Sequence, residues 1–300
     1  MIPGLERPSG ATEKDGMRRP ATTVLALGLL AAAFGILYRD VLAKLVTDWG
    51  ADANYSHGFL IVPIALYLGW ERRHRLAALP SRPASGSGLV VVAGSLAVLA
   101  AGVLGAELFL TRISMLGVLA GAILFLHGWS HLRALAFPLA FLLLMIPIPA
   151  IVFNQVAFPL QLLASRFGEW SLMAANVPVL REGNVITLSN TTLEVAEACS
   201  GIRSLISLLT LAIVYGYFVD PRPWVRIALA LASVPVAIVA NGARVAGTGI
   251  AAHHVGPEAA EGFFHSFSGW LVFLVAFALL FVVERVIALA FPRPGKEPAR

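Results

Sequence analysis

Runs of apolar residues about as long as a lipid bilayer is thick recur along the chain, and they determine the solvent in which it folds. They cover 21–38, 57–70, 88–106, 110–127, 134–150, 201–219, 227–250 and 267–290. About 20 apolar residues in a helix cross the roughly 30 Å of bilayer hydrocarbon. In that medium each backbone N–H and C=O needs an internal partner, so the runs must be helical. The pattern predicts an all-α polytopic membrane protein with about eight transmembrane helices. The second run is short for a span; it borrows length from the residues before His57 or sits tilted. Composition excludes the soluble alternative. Of the 300 residues 58% are hydrophobic and 13% charged, against about 25% charged in a soluble domain. Mean hydropathy is +0.81. The net charge of +5 is spread along the chain and gives no reason to expect a nucleic-acid partner.

Charge sets the expected orientation. Of 22 Lys and Arg, Arg203 and Arg244 fall inside runs, and Arg39, Lys44, Arg112, Arg166 and Arg181 fall on one side of an eight-span scheme. The remaining fifteen fall on the other side, with both termini. The positive-inside rule makes that second side cytoplasmic. The domain reading is a disordered cytoplasmic tail (1–20), one transmembrane domain (21–290) and a short cytoplasmic tail (291–300). Arg18-Arg19 lacks the rest of a twin-arginine signal, so the first run reads as an uncleaved signal-anchor.

The longest outer segment is 151–200. Ile151 to Leu180 is apolar but interrupted by Asn154, Gln155, Pro159, Gln161, Arg166, Glu169, Asn176 and Pro178, which suits an interfacial amphipathic helix better than a span. Asn184–Leu188 and Thr191–Ala196 are β-prone runs around Ser189-Asn190, so a small β-hairpin is expected. It leads directly to Cys199.

Cys199 is the only cysteine. Alone, a Cys at a helix end is most often a small buried hydrophobe. However, Cys199-Ser200-Gly201 opens the sixth run, and a helix N-terminus favours the thiolate. A lone thiol facing an oxidising compartment is also a liability unless it is used. Arg244, in Asn241-Gly242-Ala243-Arg244, is expected roughly one turn inside the outer end of the seventh run. It is either a snorkelling interfacial arginine or an inward-facing charge with a partner. Gly242, Ala243, Ala246 and Gly247 would let neighbouring helices approach. His265 opens the eighth run; His253 and His254 share its loop and read as solvated. Asn241 could bond a neighbouring helix or orient a side chain. Glu194 and Glu197 read as hairpin surface, although either could orient His265. Cys199, Arg244 and His265 thus come from three helices at one membrane face. They supply a nucleophile, an oxyanion-stabilising cation and a proton carrier. No ligand spacing suggests zinc, and no cofactor is expected.

Here the chain resembles the exosortase/archaeosortase family of membrane cysteine transpeptidases. The resemblance rests on Glu197-Ala198-Cys199-Ser200-Gly201-Ile202-Arg203-Ser204, on Asn241-Gly242-Ala243-Arg244 and on His265 ahead of the last helix. Tyr55-Ser56-His57-Gly58-Phe59 and Trp70-Glu71-Arg72-Arg73 resemble the family's N-terminal region, so it covers roughly residues 50 to 290. It implies that Cys199, Arg244 and His265 are catalytic, with Ser200, Gly201 and Asn241 as supporting residues. Substrates would be secreted proteins with a C-terminal sorting tail, typically Pro-Glu-Pro, a transmembrane helix and a basic cluster. The tail would be cut at the outer face and the new C-terminus passed to an acceptor. Such enzymes accompany exopolysaccharide or surface-layer systems, which places this one in a bacterial inner membrane with its site facing the periplasm.

Two other classes remain at this point. In-helix arginines and a proline-broken span at Pro235 fit a transporter. A non-catalytic scaffold of an exopolysaccharide export system is the other; both predict a phenotype that survives loss of the thiol.

Overall fold

The computed structural model describes residues 19–195, 201–256 and 262–292. In chain order the helices are α1 (Arg19–Leu37), α2 (Arg39–Ala51), α3 (Gly58–Glu71), α4 (Arg73–Ala78), α5 (Ser85–Leu104), α6 (Leu108–His127) and α7 (Trp129–Phe141), the last continued by a 3₁₀ turn at Leu142–Met145. There follow α8 (Ala150–Ala174), the strands β1 (Val179–Glu182), β2 (Val185–Leu188) and β3 (Thr192–Glu194), then α9 (Gly201–Val219), α10 (Pro223–His254) and α11 (Gly262–Ala290).

Helices dominate because the chain is apolar enough to face lipid on the outside as well as itself on the inside. Val90, Leu104, Ile151, Leu231 and Leu289 are all exposed. In water such a surface would aggregate; in hydrocarbon it is at rest. Four helical segments are long and apolar enough to cross a membrane: α5, α6, α10 and Gly269–Ala290 of α11. Two bent pairs, Val24–Leu37 with Arg39–Ala51 (64°) and Trp129–Met145 with Ala150–Ala174 (81°), raise the number to six. Helix α3 and Arg203–Val219 of α9 are apolar but shorter. The described residues therefore carry four to six candidate spans, where about eight were expected.

Several local expectations change. The stretch after Tyr38, taken as an outer loop, is helix α2, whose Leu45 and Trp49 are buried one turn apart. Arg112, also assigned to a loop, lies in α6, buried and ion-paired with Asp48 of α2. The run 134–150 is interrupted at Ile146-Pro147-Ile148-Pro149; Ile146 is extended, as a residue before proline prefers, and the chain bends there. Helix α10 runs unbroken through Pro235 for 32 residues, so the proline-broken span offered for a transporter is a continuous helix. The expected hairpin is present as β2–β3, with Thr187 opposite Thr192. A third strand, β1, pairs antiparallel with β2 and completes the sheet. It was missed because Leu180-Arg181-Glu182 carries charge at strand positions.

Of the four apolar clusters among the described residues, two hold the N-terminal helices and the sheet. Around α1–α3, α6 and α7, Tyr38, Leu45, Ile61, Leu68, Met115 and Phe141 form one core. Two of the polar side chains there reach backbone carbonyls: Trp49 Nε1 donates to Met145 (2.9 Å), and His57 Nε2 contacts Leu144 (3.0 Å). The second centre lies between α8, the sheet and α10, where Ala164, Leu172, Ile186, Leu188, Leu193, Val195, Val245 and Ala252 meet. Arg72 links the halves. It donates to the Ala134 carbonyl of α7 and to the Tyr217 hydroxyl of α9 (2.9 Å from Nη2), while the Tyr217 ring stacks on Phe137 at 4.5 Å.

Candidate active site

Arg244 is buried on α10, at 9% exposure. Its guanidinium lies against the Cα face of Gly269 on α11: a Cβ built at that glycine would stand 3.1 Å from Nη2 and 3.2 Å from Cζ. A side chain at 269 would require the guanidinium to shift by a few tenths of an ångström. His265 stands four residues, about one turn, before Gly269 on α11. The histidine is inside the first turns of the helix, which begins at Gly262, and not ahead of it. Arg244 is also deeper than expected. Ten further residues of α10 follow it, ending at His254, which is about 15 Å of helix instead of one turn. His253 and His254, taken as loop residues, form the last turn of α10; His254 is exposed.

Small residues set how closely α8 approaches α10. A Cβ at Gly242 would fall 2.4 Å from Phe167 Cδ1, one at Gly249 2.9 Å from Leu172 Cδ2, and one at Gly168 2.7 Å from Val245 Cγ1. Of the small residues picked out in the sequence, Gly242 and Ala246 are buried, whereas Ala243 and Gly247 are exposed. The sheet docks on this pair. Ser165 of α8 donates to the Gly183 carbonyl in the β1–β2 turn (3.0 Å), and Arg181 of β1 pairs with Glu169 of α8 (2.6 Å). Asn190 Nδ2 donates to the Ala252 carbonyl of α10 (2.6 Å). Ile186 of β2 comes within 3.3 Å of the Cβ position of Gly168, level with Val245, the neighbour of Arg244.

Asn241 lies three residues before Arg244 on α10 and is buried at 6% exposure. Among the described residues its Oδ1 has no hydrogen-bond partner. It lines a cavity of about 20 Å³ together with Gln161 and Ala164 of α8 and Leu205 of α9. That is room for a single water, which needs about 10–15 Å³. Such a water would satisfy the amide oxygen and tie α10 to α8. Asn241 therefore faces α8 and α9, while Arg244 faces α11.

Cys199, Ser200 and Glu197 lie outside the described residues. In sequence Cys199 is two residues ahead of Gly201, where α9 begins. Glu194 is exposed at the end of β3, as its hairpin-surface reading required. Arg203 is exposed on α9. Among the described residues no three His, Cys, Asp or Glu side chains gather as a metal site would require. Gly269 is the neighbour that sequence reasoning missed. Its signal was present: an unexplained glycine inside an apolar helix, one turn after a histidine.

Comparison with known proteins adds one finding. The family model Transmembrane exosortase (Exosortase_EpsH) matches residues 49–282, well over half of the chain. The match takes in Tyr55–Phe59, Trp70–Arg73, the sheet and the segments carrying Cys199, Arg244 and His265. No curated protein and no solved structure matches the chain. With its several apolar membrane-crossing helices, the chain belongs to the transmembrane exosortase family and is a multi-pass membrane protein.

Proposed function

We propose that the protein is a membrane-embedded cysteine transpeptidase that cuts the C-terminal sorting tail of secreted proteins and transfers the new C-terminus to an acceptor. The observation that carries this reading is the buried Arg244 guanidinium held on the glycine face of α11, one turn from His265. A cation kept at that depth by a dedicated close contact suits an oxyanion site better than a snorkelling anchor. Family membership supports the substrate class we propose: tails of the Pro-Glu-Pro type followed by a transmembrane helix. In this reading eight helices cross the membrane, both termini are cytoplasmic, and the site faces the periplasm.

The chemistry needs four steps. The Cys199 thiolate attacks the scissile carbonyl, and the resulting oxyanion is held by Arg244 with backbone N–H groups near Ser200 and Gly201. The C–N bond breaks as His265 gives its proton to the leaving amine, leaving a thioester on Cys199. His265 then takes a proton from the acceptor nucleophile, which attacks the thioester. The C–S bond breaks and the thiolate returns. Water as acceptor gives simple hydrolysis by the same route. Asn241, through the cavity beside Gln161 and Leu205, fixes α10 against α8 and α9 and so holds Arg244 in register with the start of α9.

The test is to co-express a tail-bearing substrate and follow its mass. Cys199→Ala should abolish cleavage while the protein still inserts, and Cys199→Ser should be nearly as inactive. A hydroxylamine-sensitive adduct should form with the unaltered protein. Normal cleavage by the alanine variant would return the protein to the transporter or scaffold readings.

A further inference from the structure

A cleft of about 1120 Å³ opens between α1, α3, α6 and α7, and no described residue of α8 to α11 lines it. Its walls are aliphatic: Phe34, Val62, Leu66, Met115, Leu119 and Leu139 are representative. At one end the chemistry changes. His127 and His131 line the cleft there, their rings in edge contact at 5.0 Å. His131 is 93% buried by its 7% exposure, and its Nδ1 has no partner. The backbone folds cations around that end. The Arg82 N–H donates to the His127 carbonyl (3.3 Å), bringing the 79–84 loop across the end of α6. Arg72 donates to Ala134, one turn past His131. Helix α4 contributes Leu76 and Ala77 to the lining, with exposed Arg73 and Arg75 beside them. Among the described residues, Arg75 and Arg82 have no carboxylate partner; Glu71 is the acidic residue nearest in sequence.

We infer that this cleft binds one anionic phospholipid, with its acyl chains along α3 and α6 and its phosphate at the end marked by His131, Arg75 and Arg82. An apolar body with a cationic end and a buried, unpartnered imidazole matches a molecule that is apolar along its length and anionic at its tip. A sorting-tail helix fits poorly, because the basic cluster that follows such a helix would meet Arg72, Arg73, Arg75 and Arg82. The site is independent of the transfer reaction and does not require Cys199.

The full-length protein, delipidated in a neutral detergent, is titrated with phosphatidylglycerol or with phosphatidylcholine, and thermal unfolding is followed. Phosphatidylglycerol should raise Tm by about 4 °C or more at saturation, and phosphatidylcholine by less than half of that. Arg75→Gln with Arg82→Gln should remove the difference between the two lipids. Ala122→Trp, which fills the apolar wall, should remove both shifts. Equal shifts for the two lipids, or none for either, would overturn the proposal. So would a photo-crosslinker at Leu119 that captures a co-expressed tail substrate and not phosphatidylglycerol.

Discussion

Each half of the molecule buries an arginine, and the geometry of its seat differs between them. In the N-terminal half, Arg112 of α6 is met by the Asp48 carboxylate, and Asp48 is held in turn by Lys44 at 2.6 Å. Close by, the Tyr38 hydroxyl bonds Ser114 at 3.1 Å. In the C-terminal half, Arg244 is seated against a glycine, next to a turn of helix that carries a histidine. A cation neutralised by a carboxylate is architecture: its field is spent within the fold. The Arg244 guanidinium is positioned by helix packing against Gly269, and in the proposed reaction its planar fork would meet the developing negative charge.

The widest separation between the halves should come from removing each arginine. Arg112→Ala removes a buried cation's bond to Asp48, which keeps its Lys44 partner, and should cost about 1–3 kcal/mol of stability. Thermal unfolding in detergent would read this as a large fall in Tm, while tail cleavage per folded molecule stays near the starting value. Arg244→Ala should do the reverse. Processing should fall about 10²–10³-fold, the usual effect of losing an oxyanion donor, with a modest change in Tm. Arg244→Lys should rescue poorly because an ammonium lacks the planar fork. If Arg244→Ala processes tails normally, the contrast between the halves has no functional meaning.

How much of this was legible beforehand follows the same division. Helix positions were readable because hydrocarbon imposes length and apolarity on each span. The β2–β3 hairpin was readable from its turn chemistry around Ser189-Asn190. Helix α2 was not, since Arg39, Asp40, Lys44 and Asp48 masked the i, i+4 pattern of Leu45 and Trp49. The partner of Arg112 was invisible for the same reason: the pairing joins residues 64 positions apart. Arg244 could be singled out as an intramembrane charge, but its depth could not, because the polar, glycine-rich end of α10 hides how far the helix continues. Gly269 had no readable role until α11 was seen beside α10.

Gly269 gives a finer test of the C-terminal half. In Gly269→Ala the new methyl would sit 3.1 Å from Nη2 and 3.4 Å from Nη1 of Arg244, so the guanidinium must yield by a few tenths of an ångström. A displacement of that size should lower the processing rate by about three- to tenfold. The loss should fall on kcat and leave KM and Tm nearly unchanged, because the group still carries its charge and the side chain is flexible at its tip. An unchanged kcat would mean that the seat on α11 packs the helices without aiming the cation.

The smallest effect should come from Gly247, also on α10 and among the small residues first marked for close packing. The position of a glycine on the helix, and not its presence, decides what it does. Gly242 and Gly249 face α8, where a Cβ would meet Phe167 at 2.4 Å and Leu172 at 2.9 Å. Gly247 is exposed, and a Cβ there meets nothing within 4 Å. Gly247→Ala therefore adds a methyl to open surface and lowers the backbone entropy of the unfolded chain. The expected result is a Tm equal to the unaltered protein's or slightly higher, with a gain of at most about 0.5–1 kcal/mol, and processing within a factor of two, about 0.4 kcal/mol. Gly242→Ala is the control on the packed face, where overpacking should cost about 1–3 kcal/mol. A loss at Gly247 as large as that at Gly242 would mean that a second helix covers the outer face of α10 in the membrane, as a neighbouring copy or a docked substrate would.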